Sequence, residues 1–178
     1  VYCEIHPYNK VNLKLLKTLK PNGFVLSGGP NSTLDKGSPK IPKCMKFISK
    51  PILGICLGLQ ILLDHTEEGN KKCLGMVSGA CERFRFTDRT LKIPHIGWTN
   101  IEVARECPLF RDINENDSYY FIHSLEVVKS PGVIAFSRYN DYRFVSGIHD
   151  GNGVFGLQFH PEKSREQGIR ILRNFINL

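Results

Sequence analysis

The first third of the chain alternates short apolar runs with apolar residues at helical spacing. Over residues 9–19, valine and leucine recur three and four positions apart with lysine between them, which predicts an amphipathic helix capped by Asn9. Residues 24–26 form a short apolar run typical of a buried strand, and residues 40–50 are expected to form a helix. A longer run over residues 51–63 begins as a strand and continues with helical spacing. This alternation predicts an α/β fold built on a doubly wound, mostly parallel sheet with flanking helices.

From about residue 71 the pattern changes to short apolar segments separated by glycine, proline and aspartate, which predicts β-strands and hairpins. We expect these strands to add antiparallel members to the fold. Residues 165–178 return to helical spacing and predict a closing amphipathic helix. No internal repeat or linker interrupts the pattern, so one domain is expected over residues 1–178. The later strands are predicted over residues 119–128, 133–136, 143–148 and 153–159.

The composition and charge of the chain argue against nucleic-acid binding and membrane insertion. The chain has 178 residues, is 41% hydrophobic and carries a formal net charge of +7. Its basic residues are spread along the chain without a dense tract, which disfavours nucleic-acid binding. The longest apolar runs fall well short of the roughly 20 residues that cross a membrane, and no secretory leader is visible. We therefore expect a cytoplasmic protein that enters no membrane.

The number and spacing of the cysteines argue against a zinc site and against a disulfide framework. The six cysteines include no C-x-x-C pair, and their spacing relative to histidine matches no zinc site. A disulfide framework is not expected in a chain of this length without a leader. We predict no metal site.

The run over residues 51–63 contains the pattern Gly54-x-Cys56-x-Gly58 between its strand and its helix. A sharp strand-to-helix turn is the layout of a nucleophile elbow, and the two glycines would avoid collisions there. The turn would place the Cys56 sulfur at a helix N-terminus, where the thiolate is favoured. The alternative is a buried strand and a core helix, with Cys56 as a small inert side chain.

A second segment with chemical potential is Gln158-Phe159-His160-Pro161-Glu162, at the end of the last predicted strand. On an extended chain, residues two apart point the same way, and Pro161 favours extended backbone. Glu162 would then orient the imidazole of His160. Together with Cys56 the two residues form a thiol version of the serine triad. Taken alone, His160 is equally compatible with a satisfied strand-end histidine and Glu162 with a solvent-facing acid.

The loop Ser27-Gly28-Gly29-Pro30 follows the first predicted strand. Adjacent glycines let backbone N–H groups approach a ligand closely, as an oxyanion hole requires. An ordinary strand-to-helix turn has the same composition. In a parallel sheet this loop and Cys56 would both lie at the carboxyl ends of strands, where active sites form.

Residues 54–60 and 158–162 resemble the two signatures of class I glutamine amidotransferases, in the same order and at a similar separation. The resemblance implies that Cys56 attacks the side-chain amide of L-glutamine, that His160 and Glu162 assist it, and that ammonia passes to a synthase partner. It implies no cofactor. The resemblance further assigns oxyanion binding to Gly28, Gly29 and Leu57 and substrate contacts to Gln60, His123 and Ser124.

Pro94-His95-Ile96-Gly97-Trp98 is similar to a segment of the glutaminase subunit of imidazole glycerol phosphate synthase, an enzyme of histidine biosynthesis. In that family this segment faces a (β/α)8-barrel cyclase. The resemblance therefore implies a cyclase partner, with His95 and Trp98 at the interface. A tryptophan buried in the core is the alternative.

Other segments point to related families. Ser27-Gly28-Gly29-Pro30 and residues 2–8 look more like the amidotransferase part of GMP synthetase, and the family's usual first strand and helix are expected to be missing ahead of Val1. A sugar-amidating relative with its own barrel partner fits the same mixture. Two other function classes are a free-standing γ-glutamyl cysteine hydrolase and a partner-binding module without chemistry.

Overall fold

The computed structural model describes residues 1–28, 45 and 48–178, and it divides this part of the chain into three sheets and three α-helices. In chain order the elements are α1 (Leu13–Leu19), β1 (Phe24–Leu26), β2 (Ile52–Ile55), α2 (Leu57–Leu62), β3 (His65–Thr66), β4 (Lys71–Lys72), β5 (Ala80–Arg83), β6 (His95–Asn100), β7 (Glu102–Val103), β8 (Ser118–His123), β9 (Leu125–Val128), β10 (Val133–Tyr139), β11 (Tyr142–His149), β12 (Val154–Leu157) and α3 (Arg165–Ile176).

The largest sheet has the strand order β1–β2–β12–β11–β10–β7. β1, β2 and β12 are parallel to one another, whereas β12, β11, β10 and β7 pair antiparallel. The carboxyl ends of the three parallel strands therefore lie along one edge of the sheet. Gly28, Cys56 and His160 follow these three ends. The topology thus brings together three segments that are far apart in sequence.

Two smaller sheets complete the fold. One has the order β4–β3–β5–β9, and the other is a two-stranded antiparallel ribbon of β6 and β8. The ribbon lies near the site, because the backbone N–H of His160 donates to the carbonyl of Tyr120 on β8 (2.9 Å).

Alternate residues of the central strands feed two apolar clusters on opposite faces of the large sheet. Leu53 enters a cluster with Phe175 of α3, whereas its neighbour Ile52 enters a second cluster with Leu59 of α2. Helices therefore cover both faces, which is the doubly wound arrangement. The α/β prediction is confirmed, although half of the large sheet is antiparallel.

The run over residues 119–128 is two strands, not the single strand that the sequence predicts. The chain leaves the ribbon after His123 and joins another sheet at Leu125, where β9 pairs with β5. The break at Ser124 is held by two hydrogen bonds: His123 Nδ1 donates to the Leu125 carbonyl (2.7 Å), and the Phe84 N–H donates to the Ser124 carbonyl (3.1 Å).

Local corrections concern the first helix and the segment before the elbow. α1 begins at Leu13, and its cap is Asn12, whose Oδ1 accepts the Leu15 N–H (3.0 Å). Asn9, the predicted cap, lies in a separate single-turn 3-10 helix. Most of the helix predicted over residues 40–50 falls outside the described residues. Among the described helices, none is long and apolar enough to cross a membrane.

Candidate active site

Cys56 lies at the turn between β2 and α2 with φ 53° and ψ −107°, a conformation that non-glycine residues seldom adopt. Only glycine fits two residues before and two residues after Cys56, because a Cβ at either position would collide with neighbouring backbone atoms. A Cβ on Gly58 would lie 2.0 Å from the carbonyl oxygen of Leu26 in β1, and a Cβ on Gly54 would lie 2.6 Å from the Gly58 carbonyl. The predicted elbow is therefore present. It presents Cys56 as a half-exposed free thiol.

The sulfur of Cys56 contacts two groups to which sequence reasoning assigned no role. Its S–H donates to the carbonyl oxygen of Ile122 on β8 (3.6 Å), and the side-chain amide of Gln158 donates to the sulfur (3.7 Å). Gln158 follows β12 and is fully buried. The contact with Ile122 uses only the main chain, so no side-chain pattern could have revealed it.

Gly28, the glycine of the predicted oxyanion loop that the structure describes, lies against the elbow. A Cβ on Gly28 would be 3.9 Å from the Leu57 nitrogen, so the Gly28 backbone closely approaches the start of α2. Leu57 is the first residue of α2, where N–H groups have no acceptor within the helix. Gly29 lies outside the described residues. Of the predicted oxyanion residues, Gly28 and Leu57 are therefore close together, and their role as donors stays a prediction.

His160 and Glu162 form the predicted pair, with His160 Nδ1 2.7 Å from Glu162 Oε1. Their backbone differs from the extended form expected. His160 is extended, but Pro161–Lys163 form a single-turn 3-10 helix, and this turn brings the carboxylate back to the ring. The prediction of an extended segment is therefore wrong, although the pairing itself is found.

Ser164 fixes this turn and was not identified from the sequence. Its hydroxyl donates to the His160 carbonyl (2.5 Å) and accepts the backbone N–H of Tyr120 (3.0 Å). Ser164 is fully buried. One hydroxyl therefore ties the His160 turn to the ribbon and holds the ring beside the elbow.

The charge state of His160 follows from its neighbours. Burial disfavours the charged ring, but interactions with Cys56 and Glu162 outweigh burial and raise the pKa of His160 from 6.5 to about 9. Burial also opposes ionisation of Glu162, yet the hydrogen bond to His160 leaves its pKa below the ordinary value. Nδ1 is occupied by Glu162, and Nε2 is buried, so Nε2 is the ring nitrogen left to interact with Cys56. His160 is thus protonated at neutral pH, with Nε2 left for the chemistry.

Replacing Glu162 by glutamine is expected to lower the pKa of His160 by roughly one unit or more, because the carboxylate stabilises the imidazolium. NMR titration of the His160 ring measures the shift.

The raised pKa of His160 also stabilises the folded state relative to the unfolded state. That contribution is complete below pH 6.5 and is lost as pH rises through about 9, so the variant should lose part of it.

Glu166→Gln is the matched control, because it removes the same charge from the first turn of α3. It should leave the His160 titration within a few tenths of a unit. Equal shifts in both variants would mean that the general field of the protein, and not the Glu162 contact, sets the pKa.

Of the residues expected to contact the substrate, Gln60 and His123 are buried. Gln60 is buried one turn after Cys56, and its backbone N–H donates to the Cys56 carbonyl (3.2 Å). His123 is buried at the end of β8, and burial lowers its pKa to about 3, so its ring is neutral. Ser124 lies at the break between β8 and β9. Their contact with a substrate stays a prediction.

The two residues expected at a partner interface point in opposite directions. Trp98 is 42% exposed and packs edge-on against Tyr120 (5.7 Å between centroids). His95 is only 3% exposed, and its ring packs at a tilt against Tyr139 (4.3 Å between centroids). Three positions separate the two residues on β6, so strand alternation places them on opposite faces. The ring of His95 is buried in the core and does not share the exposed face of Trp98, and a role for either residue at an interface stays a prediction.

The described part of the chain contains no group of three or more His, Cys, Asp or Glu side chains that could hold a metal ion.

Comparison with known proteins agrees with this geometry. The family described as glutamine amidotransferase class-I matches residues 1–178. The chain belongs to the class I glutamine amidotransferase family. The resemblance found in the sequence is thereby confirmed.

Two relatives of this amidotransferase chain carry the name imidazole glycerol phosphate synthase subunit HisH. The protein from Thiobacillus denitrificans is 41% identical over 135 residues, covering 72% of this chain and 59% of the relative. The protein from Nitratidesulfovibrio vulgaris is 39% identical over 151 residues, covering 82% and 70%. The amidotransferase chain therefore spans from less than two thirds to about 70% of the length of these relatives.

A solved structure is similar as well. A protein from Thermoplasma acidophilum, provisionally named as a component of GMP synthase, superposes with a TM-score of 0.65 at 26% identity. The match covers 88% of this chain and 71% of that one. Both amidotransferase types suggested by the sequence thus recur among the relatives.

Proposed function

We propose that the protein hydrolyses L-glutamine to glutamate and ammonia and passes the ammonia to a synthase subunit of the imidazole glycerol phosphate synthase type. One observation carries the proposal: Cys56 stands on a strained elbow beside a His160–Glu162 pair whose imidazole is protonated at neutral pH. A thiolate beside an imidazolium is the resting state that thiol nucleophiles use. The HisH relatives favour the histidine pathway.

In the first half of the reaction, the Cys56 thiolate attacks the side-chain carbonyl carbon of glutamine. A carbon–sulfur bond forms, and the carbonyl oxygen becomes an oxyanion held by the N–H of Leu57 at the start of α2. His160 then gives its Nε2 proton to the departing nitrogen. The carbon–nitrogen bond breaks, ammonia leaves, and a glutamyl thioester remains.

In the second half, neutral His160 takes a proton from water, and the resulting hydroxide attacks the thioester carbon. Collapse of the intermediate breaks the carbon–sulfur bond, releases glutamate and restores the Cys56 thiolate beside protonated His160. Glu162 holds Nδ1 throughout, so Nε2 stays directed at the reacting atoms. Each half transfers one proton through the same nitrogen.

The outward face of the ribbon is the proposed partner surface. We call the side chains of Ile96, Trp98, Tyr120 and Ile122 the ribbon face; Ile96 pairs with Ile122 and Trp98 with Tyr120 across the two strands. Ile96, Trp98 and Ile122 are exposed apolar side chains, and such clusters are typical of protein interfaces. The Ile122 carbonyl contacts the Cys56 sulfur, so ammonia released there would have a short path to a partner on this face.

The test is ammonia release from glutamine by the purified chain, alone and with a (β/α)8-barrel cyclase. We expect slow release alone, stimulation by the cyclase and labelling of Cys56 by a glutamine-mimicking electrophile. Stimulation only by an ATP-pyrophosphatase would favour the GMP synthase type, which the Thermoplasma similarity also suggests. Rapid turnover of γ-glutamyl peptides without any partner would instead indicate a free-standing hydrolase.

Trp98→Ala is expected to weaken binding of the cyclase by roughly 30-fold, since a central aromatic anchor commonly contributes about 2 kcal/mol. The Kd is measured by titration of the partner. Ile169→Ala is the matched control, because Ile169 is an exposed apolar residue of α3 outside the ribbon face. Unchanged binding in Trp98→Ala would remove the ribbon face from the interface.

A further inference from the structure

We propose that Gln158 is a catalytic residue, whose side-chain amide donates a hydrogen bond to the sulfur of Cys56 and stabilises the thiolate that attacks the substrate. Its part in turnover rests on the proposed glutaminase function. The contact itself does not, because it joins Nε2 of Gln158 directly to the Cys56 sulfur (3.7 Å).

The placement of Gln158 is fixed by the main chain. It directly follows β12, and its backbone N–H donates to the Ser146 carbonyl on β11 (2.9 Å). The side chain is fully buried. The amide therefore reaches the elbow from the sheet interior, beneath the nucleophile, and is not a surface group that happens to touch it.

Burying the side-chain amide of Gln158 at this position costs free energy. Its Oε1 is buried and has no hydrogen-bond partner among the residues that the structure describes. An unpaired buried carbonyl oxygen costs about 1–3 kcal/mol. A leucine or methionine could occupy the same space without that loss. The amide does, however, donate to the Cys56 sulfur. This contact gives a chemical reason for a glutamine at this position.

The sulfur needs different neighbours in its two protonation states. The neutral thiol donates to the Ile122 carbonyl and accepts from Gln158, so both contacts are favourable. The thiolate can no longer donate, and the Ile122 oxygen then faces a negative charge. The Gln158 N–H remains, and a hydrogen bond to a charged acceptor is roughly twice as strong as one to a neutral acceptor. Gln158 thus shifts the balance toward the thiolate.

Gln158 and His160 act in different ways. His160 carries a charge that it gives away and regains during turnover, whereas the amide keeps its donor in every step. A fixed donor aimed at the sulfur supports the thiolate both when it attacks and when it leaves the thioester. The same hydrogen bond also restricts the rotation of the Cys56 side chain.

The experiment follows alkylation of Cys56 by iodoacetamide as a function of pH, read on the Cys56 peptide by mass spectrometry because Cys3 is also exposed. Gln158→Met keeps the length of the side chain and removes the donor. We expect the midpoint of the Cys56 curve to rise by about one pH unit. Gln158→Glu puts a carboxyl group beside the sulfur and should raise the midpoint further.

The same variants are then assayed for ammonia release at neutral pH, where we expect kcat to fall roughly tenfold in Gln158→Met. Gln167→Met is the matched control. It removes an amide that donates to the Ser118 carbonyl (3.3 Å) and does not touch the sulfur, so its midpoint should equal that of the wild type.

The order of the alkylation midpoints in the wild type, Gln158→Met and Gln158→Glu shows whether Gln158 acts as a hydrogen-bond donor or only fills space. A rise from glutamine to methionine to glutamate supports the proposal. Equal midpoints would overturn it, and a lower midpoint in Gln158→Met would mean that the amide presents its oxygen to the sulfur. Should Gln158→Glu fail to fold, the methionine variant still decides. Absent glutaminase activity in the wild type would overturn the proposed function while leaving the alkylation curves to test this contact.

Discussion

Cys56→Ala is expected to reduce glutamine hydrolysis by at least about a thousandfold, with or without a synthase partner. Without the sulfur there is no thioester pathway, and the remaining groups offer only binding and a proton donor. The measurement is ammonia release under saturating glutamine, together with trapping of the thioester by rapid acid quench. The wild type should accumulate a glutamyl adduct on Cys56, whereas the variant should show none.

The fold should survive this change. Cys56 is half-exposed, and alanine meets the same backbone requirement at φ 53° as cysteine does, so the elbow keeps its shape. Cys73→Ala is the matched control, because Cys73 is another half-exposed thiol, whose sulfur donates to the nearby Lys71 carbonyl (3.8 Å). It should retain wild-type activity. Full activity in Cys56→Ala would contradict the proposed function.

The elbow was predictable because its requirements are local. Gly54, Cys56 and Gly58 lie within five residues of one another, and the collision avoided at Gly54 arises with Gly58 in the same turn, whereas the collision avoided at Gly58 arises with Leu26 of the neighbouring strand β1. The strand carrying Leu26, which excludes a side chain at Gly58, is also an apolar run readable from sequence. A short motif therefore carried most of the information on this part of the site.

The histidine segment was predictable only in part. The separation of His160 and Glu162 favours their pairing, but the 3-10 turn between them depends on Ser164, which bonds to Tyr120 on a distant strand. A tertiary contact thus overrode the extended preference attributed to Pro161. Similarly, the break at Ser124 depends on which strands β8 and β9 pair with, and a single serine within the run, without glycine or proline, is a weak turn signal.

The side chains of His95 and Trp98 show a different limit of motif reading. The motif that contains His95 and Trp98 suggested one shared role, but strand alternation separates their side chains. Counting positions would have predicted this once β6 was assigned as a strand. Gln158 is the opposite case. It stands within a recognised motif, yet only the folded structure shows that its side-chain amide lies 3.7 Å from the Cys56 sulfur.

Gly58→Ala is expected to destabilise the protein by about 3 kcal/mol, although the same change in a solvent-exposed helix usually stabilises by close to 1 kcal/mol. The added methyl would lie 2.0 Å from the Leu26 carbonyl oxygen, which belongs to the backbone and cannot rotate away. β1 or α2 must therefore shift. Thermal unfolding should show a Tm lower by about 6 °C or more.

The same shift should disturb the chemistry, because Gly58 lies two residues after Cys56 and β1 leads into the Gly28 loop that approaches Leu57. Labelling of Cys56 by a glutamine-mimicking electrophile should slow at temperatures where the variant is still folded. Gly97→Ala is the matched control, since the nearest atom to a Cβ there, among the residues that the structure describes, is Cε1 of His95 at 4.0 Å, and its Tm should change by less than about 2 °C. A Gly58→Ala variant with the Tm and labelling rate of the wild type would mean that β1 does not hold the elbow in place.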